Sequence, residues 1–164
     1  MQTETSALHV VPARIDAQAA FKLVPDLVEA MIQLEKAARV DLEASLCHLV
    51  KLRASQINGC AFCVNMHSEE ARTDGESEAR LQLLCVWHEA SIYTDRERAA
   101  LAWTEALTFL PDGGPSDEVY EEARKHLSET ELLRLTGLVA SINGWNRFGV
   151  GYRYTPHVRR THTS

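Results

Sequence analysis

Residues 58–67 read NGCAFCVNMH. Asn58 and Gly59 are strong helix breakers. Before them, Leu42, Leu46, Leu49, Val50, Arg53 and Ile57 recur at helical spacing. After them, a second helix is expected to open close to Cys60 and run to about Thr73, with Gly75 placed as its terminator. The stretch therefore reads as helix, break, helix. A vicinal cysteine pair stands at the head of the second helix. Residues three and four apart on a helix share a face, so Cys60, Cys63 and His67 form one stripe.

Working outward, helical patterning continues in both directions. FKLVPDLVEAMIQLEKAARV carries Leu27, Met31 and Leu34 on one face, and Pro25 suits a first turn. Asp41 is the expected cap of the helix that leads to Ile57. Ser77 is placed to cap a segment carrying Leu81, Leu84, Cys85 and His88 on one face. Thr94–Glu97 and Ser128–Glu131 are capping boxes heading two further helices. Between them lie the loop Pro111–Ser116 and a helix that Ser116 is placed to cap. Strand-like alternation is scarce. The reading is an all-α single domain of about six or seven helices, with the CxxC pair at a helix N-terminus. Residues 1–15 are expected to form an N-terminal arm, with Leu8–Ile15 extended. Residues 16–150 form the helical domain, and 151–164 a loose tail.

The chain has 164 residues, enough for one domain with its own core. Apolar residues make up 45% and charged residues 24%, which excludes a disordered chain. No apolar run is long enough to span a bilayer, and no signal segment is evident, so a cytoplasmic location is expected. The net charge of -6 argues against nucleic acid as a partner. The basic pair Arg159–Arg160 reads as solvated tail. Four cysteines are too few for a disulfide scaffold, so the close pair points to redox or metal chemistry.

Three readings of the stripe stand open. The first is a redox dithiol. A helix N-terminus and a nearby histidine both favour a thiolate, and such a dithiol can attack a peroxide or a disulfide and then close on itself. Cys63, one turn before His67, would be the activated thiol, with Cys60 resolving. The second is a metal module using Cys60, Cys63 and His67, with His48 as a possible fourth ligand. The third is a pair of inert core cysteines. Glu70, three residues past His67, can orient it. Cys47 and Cys85 fall on apolar faces and read as core. His88 reads as structural. Trp87, Trp103 and Trp145 read as core or interface, with Trp103 or Trp145 as candidates for a substrate entrance. Asn143 and Asn146 are polar for a helix interior and are candidates to hydrogen-bond a loop or a neighbouring subunit.

The stretch Lys51–Arg72, KLRASQINGCAFCVNMHSEEAR, resembles the core motif of the alkylhydroperoxidase D-like proteins of the carboxymuconolactone decarboxylase superfamily. The likeness extends more loosely over about residues 40–150. It implies a helical fold assembled as a trimer or hexamer. It implies reduction of a hydroperoxide substrate, with a lipoyl-bearing or thioredoxin-like protein as reductant and no cofactor or resident metal. It maps the attacking cysteine onto Cys63, the resolving one onto Cys60 and the proton relay onto His67. The family places a glutamate twelve residues before the first motif cysteine, where this chain has His48. A second relay histidine of the founding member is replaced by Phe62. The relay is therefore rewired, with Glu43, Glu69 and Glu70 as candidate substitutes for the carboxylate. This departure also motivates an alternative: a redox-sensing or disulfide-exchange protein on the same scaffold.

Overall fold

The computed structural model describes residues 11–158. Among them run eight α-helices: α1 (Ala17–Leu23), α2 (Pro25–Ala38), α3 (Ala44–Ile57), α4 (Ala61–Thr73), α5 (Glu78–Leu83), α6 (Asp95–Phe109), α7 (Asp117–His126) and α8 (Glu129–Tyr152), with a 3-10 turn over Leu84–Val86. No strand occurs among the described residues. The all-α expectation holds. The count exceeds the expected six or seven because Val24–Pro25 splits the first amphipathic stretch. Pro25 occupies the first turn of α2, and Asp16 caps a separate short helix by accepting from the Ala19 N–H. Residues 8–10 of the expected extended arm, and Arg159–Arg160, lie outside the described residues.

The helix ends mostly follow their local chemistry. Both capping boxes form, at Thr94 with Glu97 and at Ser128 with Glu131. Ser77 and Ser116 cap α5 and α7. Asp41 does not cap α3: it sits in the turn at φ 64°, and Glu43 takes the N-cap position. The helix expected to carry Leu81 through His88 stops at Leu83 and tightens into the 3-10 turn. That tightening rotates Cys85 outward, so Cys85 is exposed rather than core, whereas Cys47 is buried as expected.

α3 is the centre of the molecule. Nine of its residues are buried, including Leu46, Leu49, Val50 and Leu52. On one side, Leu46, Cys47 and Val50 pack with Ala100 of α6, Ala123 of α7 and Leu135, Leu138 and Val139 of α8. On the other, Leu49 and Leu52 pack with Ala71 of α4, Leu81, Leu84, Trp87 and Leu101. Each such leucine contributes about 1.5–3 kcal/mol of apolar burial. Because α3 packs against α4, α6 and α8 at once, the residues near its end are fixed by several neighbours.

That end is a tight link. Gly59 adopts φ 66°, the Gly59 N–H donates to the Gln56 carbonyl, and the Cys60 N–H donates to the Ser55 carbonyl. This is the Schellman arrangement, which needs a residue tolerant of positive φ after the cap. Cys60 then caps α4, its sulfur accepting from the Cys63 N–H at 3.3 Å. One residue closes α3 and opens α4.

α8 crosses this link at Gly149. A Cβ there would lie 2.5 Å from Cys60 Sγ and 3.1 Å from Cys63 Sγ. The helix continues past residue 150 to Tyr152, and the Arg14 N–H donates to the Tyr152 carbonyl. Tyr154 is buried against Phe21 and Phe62, so the start of the expected tail is packed rather than loose. Gly149→Ala should lower stability by about 1–3 kcal/mol through overpacking. Gly151→Ala, with open space around it, should raise stability by about 0.5–1 kcal/mol. Urea denaturation of the oxidised protein checks both; equal effects would mean that α8 does not press on the sulfurs.

Candidate active site

Cys60 and Cys63 are joined in a disulfide, with their Cα atoms 5.3 Å apart. Both residues are nearly inaccessible, at 2% and 3% exposure. The first sits at the N-cap of α4 and the second in its first turn, where unpaired N–H groups favour a sulfur anion. His67 follows Cys63 by one turn on the same face and is itself buried.

His67 Nδ1 lies 2.9 Å from Glu70 Oε2. The His67 hydrogen bond, with Lys51 nearby, holds the Glu70 carboxyl down at about 2. Burial pushes the His67 imidazolium below its ordinary value of 6.5, outweighing the opposite pull of Glu70. At neutral pH the pair is therefore a carboxylate and a neutral imidazole. Glu70 fixes the tautomer by accepting a hydrogen bond from Nδ1–H. This leaves Nε2 as a lone pair, buried and without a hydrogen-bond partner.

His48 is placed elsewhere in the hydrogen-bond network. Its Nε2 lies 2.7 Å from Asp74 Oδ2, and it lines a small cavity of about 130 Å³ with Ser45, Ala71 and Glu76. The structure pairs it with neither His67 nor the sulfurs. Glu43 pairs with Arg96, and the Glu69 side chain is exposed. Of the three candidate carboxylates, Glu70 is the one that reaches His67. The metal-module reading also loses its geometry: the two cysteines are bonded to each other, and among the described residues no three His, Cys, Asp or Glu side chains gather as ligands.

Polar residues beyond those expected support the site. Lys51 is buried, with Nζ 3.1 Å from Glu35 Oε1 and 3.4 Å from Glu70 Oε2. Asn146 donates to Ser55 Oγ at 3.0 Å, and Ser55 donates to the Lys51 carbonyl. Asn58 donates to the side-chain oxygens of Asn143 and Asn146 at 2.8 and 2.9 Å. Asn143 and Asn146 thus hold the α3–α4 link from α8. A sequence signal existed for Lys51 and Ser55: with His48 and Asn58 they recur at spacings of three and four within an otherwise apolar helix. Glu35 gave none.

Beside the sulfurs the surroundings are aromatic. Phe62, between the cysteines, meets the Tyr154 ring at 5.6 Å. Tyr154, Phe21, Trp145 and Phe148 line an apolar cavity of about 240 Å³. Trp103 lines a different depression, with Tyr120. Trp87 is core, and His88 stacks on its ring.

Residues 25–106 match the carboxymuconolactone decarboxylase family model. A candidate antioxidant defence protein AhpD of unknown function from Agrobacterium tumefaciens has a closely similar structure. It is 42% identical, with a TM-score of 0.84, over 90% of this chain and all of that one. The chain belongs to this family, in its alkylhydroperoxidase D-like branch. An uncharacterised Bacillus subtilis (strain 168) protein, YdfG, is 35% identical over 79% of this chain and 89% of its own. The debrominase Bmp8 shares the fold, at a TM-score of 0.75 and 20% identity over 85% of this chain and 76% of that one. Family, fold and the close cysteine pair together agree with a redox-active protein.

The buried neutral imidazole has a thermodynamic consequence. Unfolded, the His67 ring takes a proton near pH 6.5; folded, it does so at lower pH. Stability is full above about 6.5 and declines as pH falls through the folded value. Glu70 adds a second loss, from its ordinary 4.5 down to about 2. The denaturant midpoint should therefore drop between pH 7 and 5, and drop less in His67→Gln. Parallel curves would show that His67 is not the source.

Proposed function

We propose that this protein is a thiol-dependent peroxidase acting through the Cys60/Cys63 dithiol, with His67 as proton relay and Glu70 as its positioning carboxylate. The observation that carries the reading is the buried His67 ring, tied at Nδ1, free at Nε2, and one turn from a disulfide at a helix N-terminus.

In the reduced state, Cys63 gives its proton to His67 Nε2. The thiolate attacks the terminal oxygen of a hydroperoxide and the O–O bond breaks. Cys63 becomes a sulfenic acid, and the alkoxide takes the proton from His67 to leave as an alcohol. The Cys60 thiol then attacks the sulfenic sulfur, water leaves, and the disulfide closes. A donor dithiol returns two electrons and two protons and departs as its own disulfide. Attack on Cys63 frees Cys60, whose sulfur already accepts a helix N-terminal N–H. The family resemblance favours a lipoyl-bearing or thioredoxin-like protein as that donor. It also favours a cytoplasmic trimer or hexamer, for which exposed Leu23, Leu27 and Leu34 on α1 and α2 supply apolar surface.

A second reading has its own observation. Both cysteines are almost fully buried and the family glutamate is absent, which suits slow peroxide turnover and disulfide exchange or redox sensing instead. Thiol counting separates the two. One equivalent of cumene hydroperoxide should remove two thiols from reduced protein within the mixing time, and peptide mass spectrometry should find Cys60 bridged to Cys63. Cys63→Ser should abolish the reaction. Cys60→Ser should trap a sulfenate or mixed disulfide on Cys63. Thiols that stay free under these conditions would overturn the peroxidase reading and favour exchange.

A further inference from the structure

The proton acceptor His67 faces an ion cluster built from three helices around one buried lysine. Lys51, on α3, has a side chain only 3% exposed. Its ammonium lies 3.1 Å from Glu35 Oε1 on α2 and 3.4 Å from Glu70 Oε2 on α4. The Glu70 oxygen that Lys51 approaches is the one that His67 Nδ1 approaches at 2.9 Å. One oxygen is thus shared between a fixed cation and the relay imidazole. A buried ammonium is costly unless its charge is met, and two carboxylates meet it here.

We propose that Lys51 and Glu35 are positioning residues that set the proton affinity of His67 through Glu70. With His67 neutral, the four groups carry one net negative charge. When His67 takes the proton of Cys63, the cluster becomes neutral. The protein therefore stabilises the imidazolium that thiolate formation creates, without holding the ring protonated beforehand. Lys51 opposes protonation and Glu35 favours it; the same signs act on His67 in the folded protein. The Cys60–Cys63 disulfide is uncharged, and α8 meets the sulfurs with Gly149. The remaining titratable pair on the α3–α4 seam, His48 with Asp74, is closed on itself. The kinetic part of this inference rests on the peroxidase reading; the electrostatic part does not.

The test uses that separation. The His67 ring is titrated by NMR in the oxidised protein, where no peroxide chemistry is involved. Lys51→Met, which keeps the aliphatic stem, should raise the His67 pKa by about one pH unit or more, and Glu35→Gln should lower it. The double variant, which removes one charge of each sign, should return it close to the parent value. Circular dichroism and thermal melts confirm that each variant is folded; Lys51→Gln replaces Lys51→Met if the latter is not. Both variants moving the ring the same way, or neither moving it in folded protein, would overturn the proposal. If cumene hydroperoxide oxidises the reduced enzyme, the acid limb of the pH–rate profile should follow the same two directions, moving to higher pH in Lys51→Met and to lower pH in Glu35→Gln. Opposed NMR shifts with no peroxide reaction in the parent would uphold the tuning and defeat the peroxidase reading alone.

Discussion

The deep burial of α3 from Leu46 to Ser55 is the constraint on which the rest depends. A helix packed against so many neighbours leaves little solvent to satisfy the polar residues on its buried faces, and an unpaired buried polar group costs about 1–3 kcal/mol. Yet α3 carries His48, Lys51 and Ser55 in buried positions, with Asn58 at its cap. Each finds a partner on another helix or the adjoining turn: Asp74, Glu35 and Glu70, Asn146, and the Asn143–Asn146 pair. These residues are spaced three or four apart, so they form a polar stripe that ends at the cysteine link. The stripe fixes the rotation of α3 against α2, α4 and α8 at once. Apolar packing alone would tolerate slippage; a row of buried hydrogen bonds does not.

On the proposed reading, the same stripe explains how a buried sulfur pair can be reactive. Burial alone raises a thiol pKa and makes the sulfur inert, as at Cys47, where the surrounding core pushes the thiol up. Cys60 and Cys63 are equally buried but differ in what surrounds them. They stand at the start of α4, where N–H groups face the sulfur, and on the face that carries His67. Depth therefore does not distinguish the two kinds of cysteine here. The distinction is made by the helix terminus and by the imidazole, both positioned by α3.

Much of this was legible in the sequence because it depends on local rules. The Asn58–Gly59 break, the helix head at Cys60, both capping boxes and the i+3 partnership of Glu70 with His67 follow from backbone geometry over a few residues. What was not legible depends on packing between distant segments. Cys85 falls at a helical spacing, but the chain tightens into a 3-10 turn before it and turns it outward. Asp41 has capping chemistry, but the connection from α2 needs a positive-φ residue there. Glu35 looks like any surface glutamate until α2 is laid against Lys51, 16 residues further along the chain. Gly149 is an unremarked helical glycine until α8 is seen to press on two sulfurs.

The departure at His48 can now be placed physically. The resemblance puts a carboxylate at that position on α3, one helix away from the proposed relay histidine. Here the position holds an imidazole, and its partner Asp74 lies at the far end of α4. The carboxylate next to the relay ring comes from α4 itself, one turn beyond His67. A carboxylate on the same helix keeps its register with the histidine whatever α3 does, but it sits closer to solvent, with a side chain 44% exposed. Exposure weakens its field on the ring, so the buried Lys51 and the partly buried Glu35 are left to hold it in place. On the proposed reading the relay and its anchor have separated on this chain: α4 supplies the groups that would touch the proton, and α2 and α3 supply the charges that keep them aligned.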